Sequence, residues 1–149
     1  MNISSKSSYP SCALSNFASH SFLFDNIICA SMEGILQSFK FQDPTVQIEI
    51  CGCEGREAKK RGSEIDWKST QTLWWKGMAI DRHSEEYQAL LDRVYNALYQ
   101  QSEDFREALK ASGDDELTHS VGASDPQETI LTEREFCSRL MKLRRDGVL

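Results

Sequence analysis

The sequence contains no run of apolar residues that approaches the length of a membrane-spanning helix. Its first twelve residues are rich in serine and lack the apolar segment of a secretion signal. Both absences favour a cytoplasmic protein that has no membrane partner.

Glycine motifs of cofactor sites and of serine hydrolases are missing as well. No Gly-x-Ser-x-Gly elbow, Walker loop or dinucleotide-binding fingerprint occurs. Catalysis by a serine triad therefore has no support, and we expect no bound cofactor.

Metal-binding patterns are also absent. The chain has five cysteines, an odd number, and their positions are Cys12, Cys29, Cys51, Cys53 and Cys137. Cys51 and Cys53 form a close pair, but no second Cys or His pair follows at zinc-finger spacing. The histidines at positions 20, 83 and 119 show no ligand spacing either. We expect five free thiols, surface or core histidines, and no metal.

Length and composition are those of one globular domain, which we place at 1–149. Of the 149 residues, 40% are hydrophobic and 27% are charged, and no repeat or low-complexity linker divides the chain. The net charge is -6, which argues against sequence-independent binding of nucleic acid. A local basic patch remains compatible with a phosphorylated small ligand.

The periodicity of apolar residues predicts a mostly helical α+β domain. A hairpin is expected over 22–29, with the turn at Asp25-Asn26. Capping residues predict helices that begin near Ser84, Ser102 and Thr132. A short helix is expected over 57–61 and a short strand over 117–121. Residues 43–51 alternate like a strand, but Asp43-Pro44 is a strong helix start, and we favour a helix.

The helix expected over 32–41 has two distinct faces. Its apolar stripe is formed by residues 32, 35, 36 and 39. Glu33, Gln37 and Lys40 fall on a narrow polar strip away from that stripe. The ordinary interpretation of such a strip is a solvated helix face. The alternative is a pair of groups, roughly 10 Å apart, that hold two sides of a sugar.

Several short blocks along the chain form a pattern by their order and spacing. Ser15-Asn16-Phe17 is one block, and the expected hairpin followed by Glu33-x-x-x-Gln37-x-x-Lys40 is the next. Further blocks lie at 58–62 with Trp67, at 105–109 and at 140–144. Together they resemble the NADAR (YbiA-like) family over nearly the whole chain.

The resemblance implies a NADAR fold and cleavage of N-glycosidic bonds in ADP-ribose-related molecules. Substrate classes of the family are ribosylamino-pyrimidine phosphates and ADP-ribosylated guanine, so a ribosylated nucleotide or base, or an ADP-ribosylated nucleic acid, is the expected partner. Glu33 would be the catalytic carboxylate and Lys40 the second essential group. The substrate-binding residues it implies are Ser15, Asn16, Phe17, Gln37, Lys60, Arg61, Trp67 and Arg134.

The chain departs from the family pattern in its C-terminal third. The family's Trp-Gly pair and Gly-rich loop are absent from residues 125–136. Asp125 is the candidate for the family's catalytic Asp, and Glu133 or Glu135 are alternatives. Arg134 stands where the family has Asn. Residues 71–83 resemble an insertion.

Two functions therefore stay open. The first is an N-glycosidase, and the second is a binder that sequesters an ADP-ribose-derived nucleotide, as a counter to a defence signal. A protein-interaction module that kept only the fold is a third interpretation. The presence of both Glu33 and Lys40 argues against the third.

Overall fold

The computed structural model describes all residues, 1–149, and consists of seven helices and two hairpins. The helices are α1 (Ser11–Leu14), α2 (Met32–Ser38), α3 (Pro44–Cys51), α4 (Gly55–Gly62), α5 (Glu85–Gln101), α6 (Glu103–Ala111) and α7 (Glu133–Asp146). The strands are β1 (Phe22–Phe24), β2 (Ile27–Cys29), β3 (Thr72–Trp75) and β4 (Met78–Asp81). The predicted α+β class is confirmed.

Local sequence signals account for most of the helix starts. The hydroxyls of Ser31, Ser84 and Ser102 accept hydrogen bonds from backbone N–H groups in the first turns of α2, α5 and α6. Thr132 and Glu135 form the predicted capping box of α7. The helix favoured over 43–51 is confirmed, with the Asp43 carboxylate as its cap.

Both hairpins are two-stranded and antiparallel. In the first, Asp25 and Asn26 have positive φ angles of 47° and 66°, as the predicted tight turn requires. The second hairpin pairs Thr72 with Asp81 and Trp75 with Met78. It occupies the segment that resembles an insertion, and its strands were not predicted.

Two sequence expectations are wrong. Helix α2 ends at Ser38 rather than at residue 41, and the chain closes into a tighter turn in which the Lys40 N–H donates to the Gln37 carbonyl. No strand forms over 117–121. Only a single bridge joins Thr118 to Asn2, because the N-terminal arm provides no continuous strand for pairing.

One apolar core collects side chains from nearly every element, in a cluster of 30 buried residues. Helix α5 runs through it, with Tyr87, Leu91, Val94 and Tyr95 fully buried. Trp67 and Trp75 pack into the same core, which confirms that at least two of the three tryptophans serve packing. None of the helices combines the length and apolar character that a membrane crossing requires.

A buried ion pair connects the second hairpin to α7. Arg82 is 1% exposed and lies just after β4, and its guanidinium donates two hydrogen bonds to the Glu135 carboxylate, at 2.7 and 3.1 Å. Its Nε donates to the Thr129 carbonyl at 2.9 Å, and the Tyr87 ring lies 5.0 Å away. The segment 71–83 therefore anchors the helix that follows the divergent C-terminal loop.

Candidate functional site

A cleft of about 630 Å³ opens between α2, the end of α4 and the loops of the C-terminal third. One wall is formed by α2 and the segment 15–17, and another by residues 119–123 and 128–131. Trp67 and its neighbours close one side. The volume falls in the range that small-molecule ligands occupy in proteins.

Glu33 lies in this cleft as a buried carboxylate. It is 8% exposed, and its Oε1 accepts a hydrogen bond of 2.9 Å from Gln37 Nε2. Its backbone N–H donates to the Asn16 carbonyl at 2.9 Å, which ties α2 to the neighbouring wall. The polar strip predicted on this helix is thus turned inward rather than solvated.

The electrostatics of Glu33 are set mainly by burial. Burial raises the pKa of its carboxyl above the usual value, against opposing effects of the Gln37 hydrogen bond and of Lys59, Lys40 and His119. A carboxylate with a raised pKa that lies among cations in a cleft is typical of acid–base catalysis.

Gln37 is held by close contact with α4. A Cβ atom at position 62 would overlap with Gln37 Oε1, so glycine at this position allows the Gln37 side chain to lie between the two helices as it does. The same Oε1 is buried and has no hydrogen-bond partner. An unsatisfied buried acceptor costs about 1–3 kcal/mol, and native proteins tolerate few of them outside functional sites.

Lys40 reaches the same cleft from the turn after α2. Its Nζ donates to the Gly62 carbonyl at 3.4 Å. Burial lowers the pKa of the Lys40 ammonium, and the positive charges of Lys59 and Lys68 lower it further. The negative charge of Glu33 acts in the opposite direction but does not outweigh them, so the pKa of Lys40 is lower than usual. Lys40 therefore gives up its proton more readily than a solvated lysine.

The segment 15–17 supplies three further lining residues. Asn16 Oδ1 accepts a hydrogen bond of 2.8 Å from the Tyr95 hydroxyl, which fixes the amide and leaves its NH₂ group without a protein acceptor. The Ser15 hydroxyl accepts from the Phe17 N–H at 3.2 Å. Lys59 Nζ lies 5.4 Å from the centre of the Phe17 ring.

The basic run on α4 contributes one cation to the cleft, and it is Lys59. Successive residues of a helix point about 100° apart, so the neighbours face elsewhere. Lys60 is exposed and does not line the cleft, and Arg61 pairs with Glu49 at 3.3 Å on the outer surface. The structure therefore does not bring the predicted Lys60 and Arg61 to the site. It places Lys59 there instead.

The C-terminal candidates are also separate from the cleft. Asp125 is exposed, and its carboxylate accepts the N–H of Gln127 in a local turn. Arg134 is exposed on the first turn of α7. The alternative acids have other partners, because Glu135 binds Arg82 and Glu133 accepts the backbone N–H of His119.

Trp67 is the last of the predicted residues. It lines the cleft, although only 4% of its surface is exposed because it also packs into the core. His119 is a lining residue that sequence reasoning assigned to the surface or core. Its position depends on the N-terminal arm, more than a hundred residues away, so no local signal could have found it. No cluster of three metal-ligating side chains occurs in the structure.

Comparison with known proteins gives three matches. The sequence profile of the family described as bacteriophage protein GP30.3 matches residues 8–145. An uncharacterized 17.1 kDa protein from the Gp30-rIII intergenic region of Enterobacteria phage T4 is 37% identical over 146 residues, which are 97% of this chain and 96% of that protein.

The NMR structure of the E. coli protein YbiA shares the fold, with a TM-score of 0.64 and 20% sequence identity. The match covers 99% of this chain and 83% of YbiA. The resemblance to the YbiA-like family noted from the sequence is therefore confirmed at the level of the fold.

Proposed function

The chain belongs to the bacteriophage protein GP30.3 family, and we propose that it is an N-glycosidase. Its substrate would be an ADP-ribose-like molecule or a ribosylamino-pyrimidine phosphate, and the reaction would hydrolyse the bond between ribose and nitrogen. The observation that carries the proposal is the buried Glu33 carboxylate, held by Gln37 in a cleft of about 630 Å³ that is also lined by three lysines, Lys40, Lys59 and Lys68.

The reaction needs a negative charge in that place. When the bond from the anomeric carbon to nitrogen breaks, positive charge develops on the ribose ring. A carboxylate beside the ring stabilises this charge in a site of low polarity, and it can accept a proton from the attacking water. Burial and the fixed Gln37 contact keep Glu33 in position for both tasks.

The cations and the aromatic residues fit the rest of such a substrate. Lys59 lies at the cleft with its ammonium free of any carboxylate partner, and it supports binding of a phosphate. Phe17, which is partly exposed at the cleft, is the aromatic side chain on which a base would stack. The unpaired NH₂ of Asn16 is a donor for a ribose hydroxyl.

One observation favours a second candidate, a binder that sequesters the nucleotide without cleaving it. Asp125, the candidate for the family's Asp, and Arg134, at the position where the family has Asn, lie outside the cleft. If that motif is needed for turnover, this chain retains the pocket and lacks the chemistry.

Glu33→Gln separates the two candidates. Gln has nearly the same shape as Glu and no charge, so turnover should fall by roughly 10²-fold or more while affinity for ADP-ribose changes little. The assay is mass spectrometry for released base from ADP-ribosylated guanosine and guanine-containing DNA and from ribosylamino-pyrimidine phosphates, with affinities from calorimetry.

Thermal unfolding of Glu33→Gln serves as the control for folding. Wild-type protein that binds a ribosylated compound but releases no base over hours would establish the binder instead. Absence of binding to every compound at millimolar concentration would refute both candidates.

A further inference from the structure

His119 is the one imidazole in the cleft, and neither the carboxylate chemistry nor the phosphate site uses it. It lies on the loop after α6, whereas Glu33 lies on α2. Both side chains line the same cleft. A substrate that fills the cleft therefore meets both groups, on different walls.

The ring of His119 is held in one orientation. Its Nδ1 lies 2.8 Å from the Ile3 carbonyl oxygen, which can only accept, so Nδ1 carries a proton. The ring packs edge-on against Phe136, with centroids 5.3 Å apart. Gly122 makes room for it, because a Cβ atom there would come within 2.8 Å of His119 Cδ2.

This arrangement leaves Nε2 as the ring nitrogen without a protein partner. With Nδ1 occupied, any proton that the ring gains or loses moves at Nε2. The second anchor of the residue, its backbone N–H on the Glu133 carboxylate at 3.1 Å, keeps the loop against α7. The result is a fixed imidazole that presents one exchangeable nitrogen.

We propose that His119 is the general acid of the proposed glycosidase and delivers the Nε2 proton to the leaving nitrogen. The inference rests on the proposed function. The bond between the anomeric carbon and nitrogen breaks with its electron pair on nitrogen, and the proton from Nε2 neutralises that pair. A water oxygen then bonds to the anomeric carbon, and the proton it loses passes to the Glu33 carboxylate. Exchange with solvent restores the imidazolium and the carboxylate.

A general acid is needed only when the leaving nitrogen is basic. Amino-pyrimidines and guanine depart as anions unless they are protonated. Nicotinamide departs from NAD⁺ as a neutral pyridine and needs no proton. The contribution of His119 should therefore depend on the leaving group, which a structural role of the residue would not produce.

The experiment compares His119→Gln with the wild type on a series of ribosides of decreasing leaving-group basicity that ends with NAD⁺. Loss of a general acid lowers turnover by about 10²–10⁴-fold, so we expect at least a 10²-fold loss on the ribosylamino-pyrimidine phosphate. The loss should shrink along the series, to less than about tenfold at the most acidic leaving group that the wild type cleaves.

His20→Gln is the matched control. His20 also contacts a backbone carbonyl, that of Ala13 at 2.7 Å, and packs edge-on against Phe105, but it lies outside the cleft. Its replacement should leave the leaving-group dependence of turnover as in the wild type. Affinity for ADP-ribose, measured by calorimetry, reports whether each variant keeps its pocket.

Equal losses of turnover along the whole series would overturn the role of His119 and leave the glycosidase intact. A wild type that cleaves no member of the series would overturn the proposed function, and this inference with it.

Discussion

Removal of the Arg82 side chain should strongly destabilise the protein. Arg82 is 1% exposed and the Glu135 side chain 14% exposed, so the pair lies away from solvent. Arg82→Met keeps much of the volume but deletes the charge. Glu135 then remains as a buried carboxylate that retains only the Gln88 side chain and the Thr132 N–H as donors.

The structure sets the size of the effect. Loss of one partner of a buried ion pair costs about 3–5 kcal/mol, because the remaining charge loses its compensation. The Thr129 carbonyl also loses its donor. Since domains of this size are stable by about 5–15 kcal/mol, the loss is a large fraction of the total stability. The midpoint of thermal unfolding should fall by roughly 10 °C.

Urea unfolding followed by circular dichroism measures the effect, and Lys142→Met is the control. Lys142 pairs with Asp146 at 3.0 Å on the same helix, α7, but in a solvent-exposed position. That pair should be worth only about 0.2–0.5 kcal/mol. If Arg82→Met costs less than about 1 kcal/mol, or no more than Lys142→Met, the argument from burial is refuted.

The pH dependence of the Arg82 effect has a definite sign. Burial raises the pKa of Glu135, but hydrogen bonds from Arg82, Thr132 and Gln88 outweigh it and hold the pKa below the usual 4.5. The pair therefore stabilises the fold above about pH 4.5, and this contribution is lost as the pH falls through the lowered pKa. The stability difference between wild type and Arg82→Met should shrink in acid.

Three further predictions concern the helix contact, the cleft cation and the thiols. Gly62→Ala should lower the free energy of unfolding, measured in urea, by about 1–3 kcal/mol. It should also lower turnover, because the new methyl group displaces Gln37 from Glu33. An unchanged free energy of unfolding would contradict the close contact. Lys59→Gln should weaken the binding of ADP-ribose measured by calorimetry, whereas Lys60→Gln at the neighbouring position should leave it unchanged. Equal effects of the two substitutions would refute the placement of Lys59 in the cleft. A thiol reagent should modify two partly exposed cysteines in the native protein and five in denaturant, the three protected ones being Cys29, Cys51 and Cys137. Burial raises the pKa of Cys137 to about 11, which slows its reaction further, and fast modification of all five would contradict the packing.

Much of the fold was predictable because its signals are local. Caps, apolar periodicity and the Asp25-Asn26 turn act within a few residues, and they located six of the seven helices and the first hairpin. The end of α2 was misjudged because the carbonyls that would continue the helix have tertiary donors: Gln47 Nε2 donates to the Ser38 carbonyl at 3.0 Å and the Trp74 N–H to the Phe39 carbonyl at 2.8 Å. The strand expected over 117–121 failed because a strand needs a partner, and the pattern of one segment does not supply it.

Part of the candidate cleft was accessible in the same way. Glu33 and Gln37 are one helical turn apart, so their contact is a property of α2 itself. The polar strip of the same helix also included Lys40, and the resemblance to the NADAR family added Trp67 and the segment 15–17; all of these line the cleft.

By itself, the sequence determined the positions of six helices, the capping residues of α3, α5, α6 and α7, and the Glu33–Gln37 pair, because these depend on residues within about one or two turns of each other. Only the tertiary structure decided that Lys59 rather than Lys60 faces the cleft, since that choice depends on how α4 packs against α2. It also placed His119 in the cleft, where its Nδ1 donates to the Ile3 carbonyl, and it paired Arg82 with Glu135, which lies 53 positions later in the sequence. The local sequence patterns of the segments that make such contacts do not predict which other segment they will meet. Only the packing of the whole core brings them together.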